Sequence, residues 1–474
     1  MKIIGRKREQ EVLTYCSNSE KPEFLVVYGR RRVGKTFLIK EFFNNEFAFY
    51  ATGVNNVGTK EQLGYFYESL REYGSVEGEV PKTWREAFSR LKSLISDPNV
   101  KKDPASGKIV IFLDEVPWMD TAKSGFKPAL DYFWNSFASS QKDIFLIVCG
   151  SATSYIIKNI IGDKGGFYNR ITNSIRLMPF TLKECEEFYI SNGVSINRYE
   201  IIQSYMVFGG IPYYLNLINR RMSLAQNIEA LLFNPTGQLY YEYDRLFSSL
   251  FRNPGKHILI IEALSGKGIG MTRKEIIEDT SISDGELLSV ALEELEHSGF
   301  IRKYKNYTKK KTEGYYQIID PFVLFHNKII AKEKASSWIR YVGSPSYNAW
   351  SGNSFEIVCL IHTDIIKQAL GIAGIESVEY SWRSQTSEPR AQIDLLIDRT
   401  DNCINICEMK YSGSPYVIDP AYEKKLRYKI ECFRKETKTE KSLFLTMITA
   451  NGLKHNAHSG VVINELTADD LFSL

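Results

Sequence analysis

Apolar residues recur along this chain with two different periods. Uninterrupted runs at Phe24-Leu25-Val26-Val27, Ile109-Val110-Ile111-Phe112-Leu113 and residues 144–149 predict strands buried on both faces, as in a parallel sheet. Between them the spacing turns helical. Leu63, Phe66, Leu70 and Tyr73 form one stripe. Trp84, Ala87, Phe88, Leu91, Leu94 and Ile95 form another, opened by Thr83-Trp84-Arg85-Glu86, a capping box. Helices over 7–16 and 36–43 and strands over 46–51 and 174–177 complete the pattern. Strands alternating with helices over residues 1–180 predict an open, mostly parallel α/β sheet. Any ligand of such a sheet sits at the carboxyl ends of its strands.

Beyond residue 180 the pattern changes. Helices are expected over 181–192 and 200–208, then from Pro212 to about residue 220, as a small helical lid over 181–235. Residues 253–325 read as a winged helix. Its helices are 257–264, 273–279 and 283–297, and its hairpin is 300–307 with 314–319, with Lys309-Lys310-Lys311 at the tip. Residues 345–474 form a last unit: a helix over 353–369, strands over 376–382, 392–397 and 403–410, a helix over 422–435 and a strand over 442–448.

The first apolar run ends in Gly29-Arg30-Arg31-Arg32-Val33-Gly34-Lys35-Thr36. This is a G-x-x-x-x-G-K-[ST] phosphate-binding loop between a strand and a helix, the context that mechanism requires. Backbone N–H groups and the helix N-terminus favour phosphate there. Lys35 reaches the terminal phosphates and the Thr36 hydroxyl ligates Mg²⁺. The run ending Leu113-Asp114-Glu115 is a Walker B pattern about 80 residues downstream. Asp114 holds the metal in this reading, and Glu115 polarises the attacking water. At the tip of the 144–149 strand, Ser151, with Thr153 as alternate, is either a γ-phosphate sensor or a helix N-cap. Arg170, after Gly165-Gly166-Phe167-Tyr168-Asn169, is either a charge-stabilising arginine, acting in cis or from a second subunit, or a surface residue. The expected ligands are ATP and Mg²⁺.

Composition narrows the remaining choices. The 474 residues suffice for about three domains. The formal charge of +4, from 60 basic and 56 acidic residues, makes no global case for nucleic-acid binding. Seven scattered cysteines, an odd number, point to reduced core thiols and a cytoplasmic protein. Cys403 and Cys407 lack a paired Cys/His set, so no zinc site is expected. The N-terminus carries no signal-like apolar stretch. No apolar run approaches 18 residues, so no membrane span is expected.

Ile4-Gly5-Arg6-Lys7-Arg8-Glu9, the phosphate loop, Leu113-Asp114-Glu115 and Gly210-Ile211-Pro212 together resemble the archaeal-type, AAA+/STAND-related P-loop ATPases, over about half the chain. The resemblance implies that Ile4 and Pro212 lie beside the adenine. It also makes the Arg30-Arg31-Arg32 run part of the loop rather than a nucleic-acid patch. Asp320-Pro321-Phe322-Val323-Leu324-Phe325 resembles the segment leading into the C-terminal region of that family. In the winged helix, the third helix carries Glu286, Glu293, Glu294 and Glu296, which repel phosphates. A protein-packing role is therefore favoured there over groove reading, with the basic hairpin as the one candidate backbone contact.

The second candidate site is Asp394 with Glu408-Met409-Lys410. Residues two apart on a strand share a face, so Glu408 and Lys410 point the same way. A hairpin sets Asp394 beside Glu408. Two close carboxylates attract a hard cation, and Lys410 then orients water or stabilises a pentavalent phosphate. This resembles the PD-(D/E)xK nucleases, with Ile393-Asp394 in place of Pro-Asp and Glu356 as the acid of the first helix. The resemblance implies a metal-dependent, restriction-endonuclease-like domain acting on DNA or RNA. The expected whole is an ATP-hydrolysing switch, with homo-oligomer formation open. Its rival is a signalling or scaffold ATPase whose last domain binds without cleaving.

Overall fold

In a computed structural model, residues 2–473 are described except 75–77, 163–166, 168, 252, 308–313 and 332–336. The chain forms two compact units, Met1–Pro179 and Phe180–Leu474.

The first unit is built on five parallel strands: β1 (Glu23–Tyr28), β2 (Phe49–Thr52), β3 (Ile109–Asp114), β4 (Ile144–Gly150) and β5 (Asn173–Arg176). Their spatial order is β2-β3-β4-β1-β5. The three central strands are those with unbroken apolar runs, and β3 and β4 are buried at every residue. Parallel strands covered by helices on both faces have no wet side, so alternation disappears. The helices Thr59–Glu72, Trp84–Ile95 and Phe126–Ser136 bury their apolar stripes in one core, with the rings of Trp84 and Phe126 4.8 Å apart. The helix Phe126–Ser136 was not among the expected elements, and two further details differ from expectation. β2 starts at Phe49 rather than residue 46, because Asn44 and Asn45 make a left-handed turn ahead of it. The Thr83 hydroxyl does cap Glu86, but the Glu86 carboxylate accepts from the Lys82 amide instead of closing the box on Thr83.

The second unit starts with helices Leu182–Ser191 and Arg198–Phe208, each opened by a complete capping box, Thr181 with Glu184 and Asn197 with Glu200. The tight turn at Gly209-Gly210 follows. Gly210 has φ 64°, and a Cβ there would lie 2.4 Å from the Phe180 carbonyl oxygen, so only glycine fits. The helix at Pro212 ends at Leu215, short of the expected residue 220. Asn227 reaches across to bind both the amide and the carbonyl of Asn219, holding that stretch as a loop. A helix absent from the sequence reading, Glu242–Leu250, precedes Gly255–Gly266, Arg273–Thr280 and Glu286–His297. These last three pack with an antiparallel sheet of β6 (Met271–Thr272), β8 (Tyr315–Ile318) and β7 (Ile301–Tyr304). The expected lysine run at the hairpin tip lies outside the described residues.

The last sheet is mixed. It contains β9 (Ser377–Arg383), β10 (Gln392–Arg399), β11 (Cys403–Lys410), β13 (Ser442–Thr449) and β15 (Asn464–Leu466), in the order β15-β13-β11-β10-β9. A small parallel pair, β12 (Tyr416–Val417) and β14 (Leu453–Lys454), stands beside it. β9, β10 and β11 are antiparallel neighbours, whereas β11, β13 and β15 run parallel. The helix Pro420–Thr437 supplies the crossover. The helix bearing Glu356 begins at Pro345, capped by Ser344, rather than at residue 353. It breaks at His362 before Thr363–Ala369. Among the described residues, no helix is long and apolar enough to cross a membrane.

Candidate functional site

The sheet order of the first unit decides the geometry of its site. β4 lies between β1 and β3, so its tip falls between the phosphate loop and the Asp114-Glu115 pair. Ser151, at that tip, joins them. Lys35 Nζ donates to Ser151 Oγ at 2.9 Å, and the Ser151 hydroxyl in turn donates to Glu115 Oε1. The Ser151 amide donates to Glu115 Oε2 at 3.1 Å. Glu115 is thereby held at both oxygens. Its backbone is left-handed, φ 49°, a strained conformation for a non-glycine residue, of the kind found where side-chain aim matters. The helix-cap reading of Ser151 and Thr153 is overturned: the cap of Thr153–Tyr155 is Ala152, with no side-chain bond. Thr153 Oγ1 turns back to the Ser151 carbonyl, which leaves Ser151 as the residue facing the site.

Lys35 Nζ also donates to the carbonyls of Gly29 and Arg30, each at 3.0 Å. Gly29 has φ 148°, and a Cβ there would meet the Leu177 carbonyl oxygen at 2.3 Å; glycine is required for the loop to pass β5. Of the rest of the loop, Arg30 and Val33 are buried, Arg32 and Gly34 half-buried, and Arg31 exposed. Ile4 is half-buried, and its neighbour Arg6 is buried with Nη2 donating to the Val33 carbonyl at 3.2 Å. Arg6 thus clasps the loop, a role the sequence reading missed although the residue stood within the quoted motif. Arg170 is exposed, in a turn before β5. Pro212 opens its short helix in the second unit.

Thr36 Oγ1 donates to Asp114 Oδ2 at 2.7 Å, and Asp114 Oδ1 accepts the Glu115 amide. Burial, then the neighbouring Glu115, push the Asp114 carboxyl above its ordinary range. A hydroxyl and a buried carboxylate meeting beside a second carboxylate fit a hard divalent cation, which relieves that repulsion.

The second cluster lies at one end of β10 and β11. The ladder pairs Leu395 with Cys407 and runs on towards Asp394 and Glu408, as the hairpin argument required. Glu408 is buried, and both its oxygens are taken. Lys410 Nζ stands 3.0 Å from Oε1, the Tyr422 hydroxyl donates to Oε1 at 2.7 Å, and Lys429 Nζ donates to Oε2 at 2.7 Å. Burial alone raises this carboxyl, but Lys410 and Lys429 outweigh it and hold it down to about 2. Asp394 and Glu356 are pushed upward. Burial acts first on both, followed for Glu356 by Asp394 and, for Asp394, Glu408 against the lowering hydrogen bond from Gln392. Lys429 and Tyr422 were not singled out from sequence. Their spacing of seven puts them on one helix face, the signal that was available. Among the described residues, no three His, Cys, Asp or Glu side chains converge as a metal-ligand group. Glu356, Asp394 and Glu408 form an electrostatic cluster in this arrangement rather than an assembled ligand set.

Comparison with known proteins bears on the first site. Residues 4–218 match the family described as an ATPase domain predominantly from Archaea. An uncharacterised protein of Methanocaldococcus jannaschii is 25% identical over 336 residues, 69% of each chain. An uncharacterised ATP-binding protein of the same organism is 49% identical over 44 residues, 9% of this chain and 75% of that one. Among solved structures, a Walker-type ATPase of Pyrococcus abyssi aligns with TM-score 0.48 and 18% identity, over 69% of this chain and 96% of that one. The Aeropyrum pernix ORC2 protein, in ADPNP–ADP complexes, aligns with TM-score 0.41 and 15% identity, over 71% and 96%. Over residues 4–218 the chain therefore carries an archaeal-type ATPase domain.

Proposed function

We propose that this protein is a Mg²⁺-dependent ATPase switch that carries a phosphodiesterase-like site in its second unit. The observation behind the first half is the chain of contacts from Lys35 through Ser151 to Glu115. It links the group that binds terminal phosphate to the group that activates water. In hydrolysis, the water oxygen attacks the γ-phosphorus and the bond to the β–γ bridging oxygen breaks. ADP leaves with that electron pair, and the water proton passes towards Glu115. Lys35 exchanges its carbonyl partners for phosphate oxygens, which bind an ammonium more strongly because they are charged. Ser151 keeps Glu115 aimed. Thr36 and Asp114 would hold the metal, which would supply positive charge to offset that of the phosphates. Arg170, exposed ahead of β5, is the candidate charge-stabilising arginine, acting in cis or from a neighbouring subunit. Light scattering with and without ATP separates the two, because only the second requires assembly.

For the second unit, the leading reading is metal-dependent cleavage of a nucleic-acid backbone by Asp394, Glu408 and Lys410, with Glu356 as the helix acid. Its support is the acid pair on adjacent strands with Lys410 two residues from Glu408. A second reading, binding without cleavage, draws on the engagement of both Glu408 oxygens by Lys410, Lys429 and Tyr422. In both readings residues 253–325 serve as a packing element, a winged helix whose hairpin meets β9 through Asn306 and Ser381.

Phosphate release by wild type, Lys35→Ala and Glu115→Gln tests the ATPase. Release unchanged in Lys35→Ala would sink it. Nicking of plasmid and cutting of single-stranded DNA and RNA with Mg²⁺ or Mn²⁺ tests the second site, against Asp394→Ala and Lys410→Ala. If wild type with ATP leaves every substrate intact, the cleavage reading fails and the binding reading replaces it.

A further inference from the structure

The helix Arg198–Phe208 was expected to serve a nucleotide lid, yet within the second unit its side chains reach the elements that carry the acid–lysine cluster. The Tyr199 ring stacks on Tyr411, centroids 4.8 Å apart and planes 9° from parallel. Tyr411 is the residue immediately after Lys410. Its ring also meets Phe355, centroids 5.5 Å apart, the residue immediately before Glu356. The Tyr199 hydroxyl also lies over the backbone at Gly413, 3.5 Å from where a Cβ would stand. Farther along, Gln203 Nε2 donates to the Tyr347 hydroxyl at 2.8 Å, on the helix that bears Glu356. Arg198 Nη1 pairs with Asp469 at 2.7 Å. The preceding helix is tied in the same way: the Leu182 amide donates to His362 Nε2 at 3.0 Å, at the break that ends the Glu356 helix.

We propose that Tyr199 is a positioning residue for the second site: its ring, flat against Tyr411, fixes the end of β11 and with it the aim of Lys410 relative to Glu356. The inference rests on the phosphodiesterase reading for its chemistry, but not for its geometry. The ladder of β11 with β13 ends at the pair Lys410–Thr449, so beyond it the backbone that carries Lys410 is held by side-chain packing rather than by strand hydrogen bonds. Tyr411, packed between Phe355 and Tyr199, supplies that packing. The helical segment after residue 180 thereby acts on the C-terminal chemistry without touching it.

Full-length wild type, Tyr199→Phe and Tyr199→Leu separate the outcomes. Leucine keeps an apolar side chain and loses the flat ring, whereas phenylalanine keeps the ring. Tyr199→Leu is expected to lower kcat for Mn²⁺-dependent cleavage about 10- to 100-fold at unchanged KM, the cost of misaiming a charge-stabilising group. Tyr199→Phe stays close to wild type. Cleavage by Tyr199→Leu within about twofold of wild type, or equal loss in both variants, overturns the proposal. If wild type does not cleave, the phosphodiesterase reading fails by itself. Amide exchange at residues 408–413 then decides the positioning role. Faster exchange in Tyr199→Leu but not in Tyr199→Phe upholds it, and unchanged exchange overturns it.

Discussion

At the scale of single residues, placement, charge and burial decide what a side chain does, and three side chains expose the result. Ser151 is a small polar group whose worth lies in its place between Lys35 and Glu115. Ser151→Ala removes the hydroxyl and frees one Glu115 oxygen. Phosphate release is expected to fall about 10- to 100-fold, about 1.4 to 2.7 kcal/mol of barrier, while the affinity for ATP changes little. Turnover equal to wild type would count against the clamp. In the second cluster, Glu356 stands above its ordinary value because burial and Asp394 oppose its charge. Both folded and unfolded chains are protonated at low pH. As pH rises, the unfolded chain ionises first and gains, so the folded state loses stability until Glu356 itself ionises. Glu356→Gln removes that loss. Its melting temperature should exceed wild type at about pH 9 and differ little at about pH 5. Glu408 has the opposite sign. It is held down to about 2 from an ordinary 4.5, so its stabilising contribution fades only as pH falls below about 4.5. Equal differences at both pH values would show that Glu356 carries no such strain.

At the scale of elements, the turns and caps were the most readable and the helix limits the least. Thr181 and Thr272 each cap a helix with the glutamate three residues on, a pattern carried by local sequence, whereas the helix capped by Asn197 begins at Arg198, two residues before the expected residue 200. The helices at Pro212 and Glu356 misled, for tertiary reasons. Asn227 captures the backbone after Leu215, and Ser344 with Pro345 starts the Glu356 helix eight residues earlier than residue 353. Gly210 is the element-level weak point. Gly210→Ala forces a Cβ into the Phe180 carbonyl at positive φ. It should destabilise the second unit by about 2 kcal/mol or more, read as a lower midpoint in denaturant. Thr181→Ala, a lost cap, should cost about 1 kcal/mol. A Gly210→Ala protein as stable as wild type would mean that the turn relaxes freely.

At the scale of the molecule, a chain of two compact units is expected to melt in more than one transition, which a single midpoint does not describe. ATP with Mg²⁺ at 100 times its dissociation constant should stabilise the first unit by about 2.7 kcal/mol, raising one transition in calorimetry. Lys35→Ala should abolish that shift, and Asp394→Ala should leave it intact. A shift that survives Lys35→Ala would place the nucleotide elsewhere.

The sequence by itself determined the parallel sheet, the phosphate loop, the Asp114-Glu115 pair and the order of strands that carry Asp394 and Glu408. Each of these is a local pattern: a buried run, a glycine turn, a residue at a strand end. Only the tertiary structure decided what meets at the strand ends. That Ser151 joins Lys35 to Glu115 follows from β4 lying between β1 and β3, which no local pattern encodes. That Lys429 and Tyr422 close on Glu408, and Tyr199 on Tyr411, follows from how helices settle on the last sheet. Spacing along a chain sets which residues share a face; packing sets what that face touches.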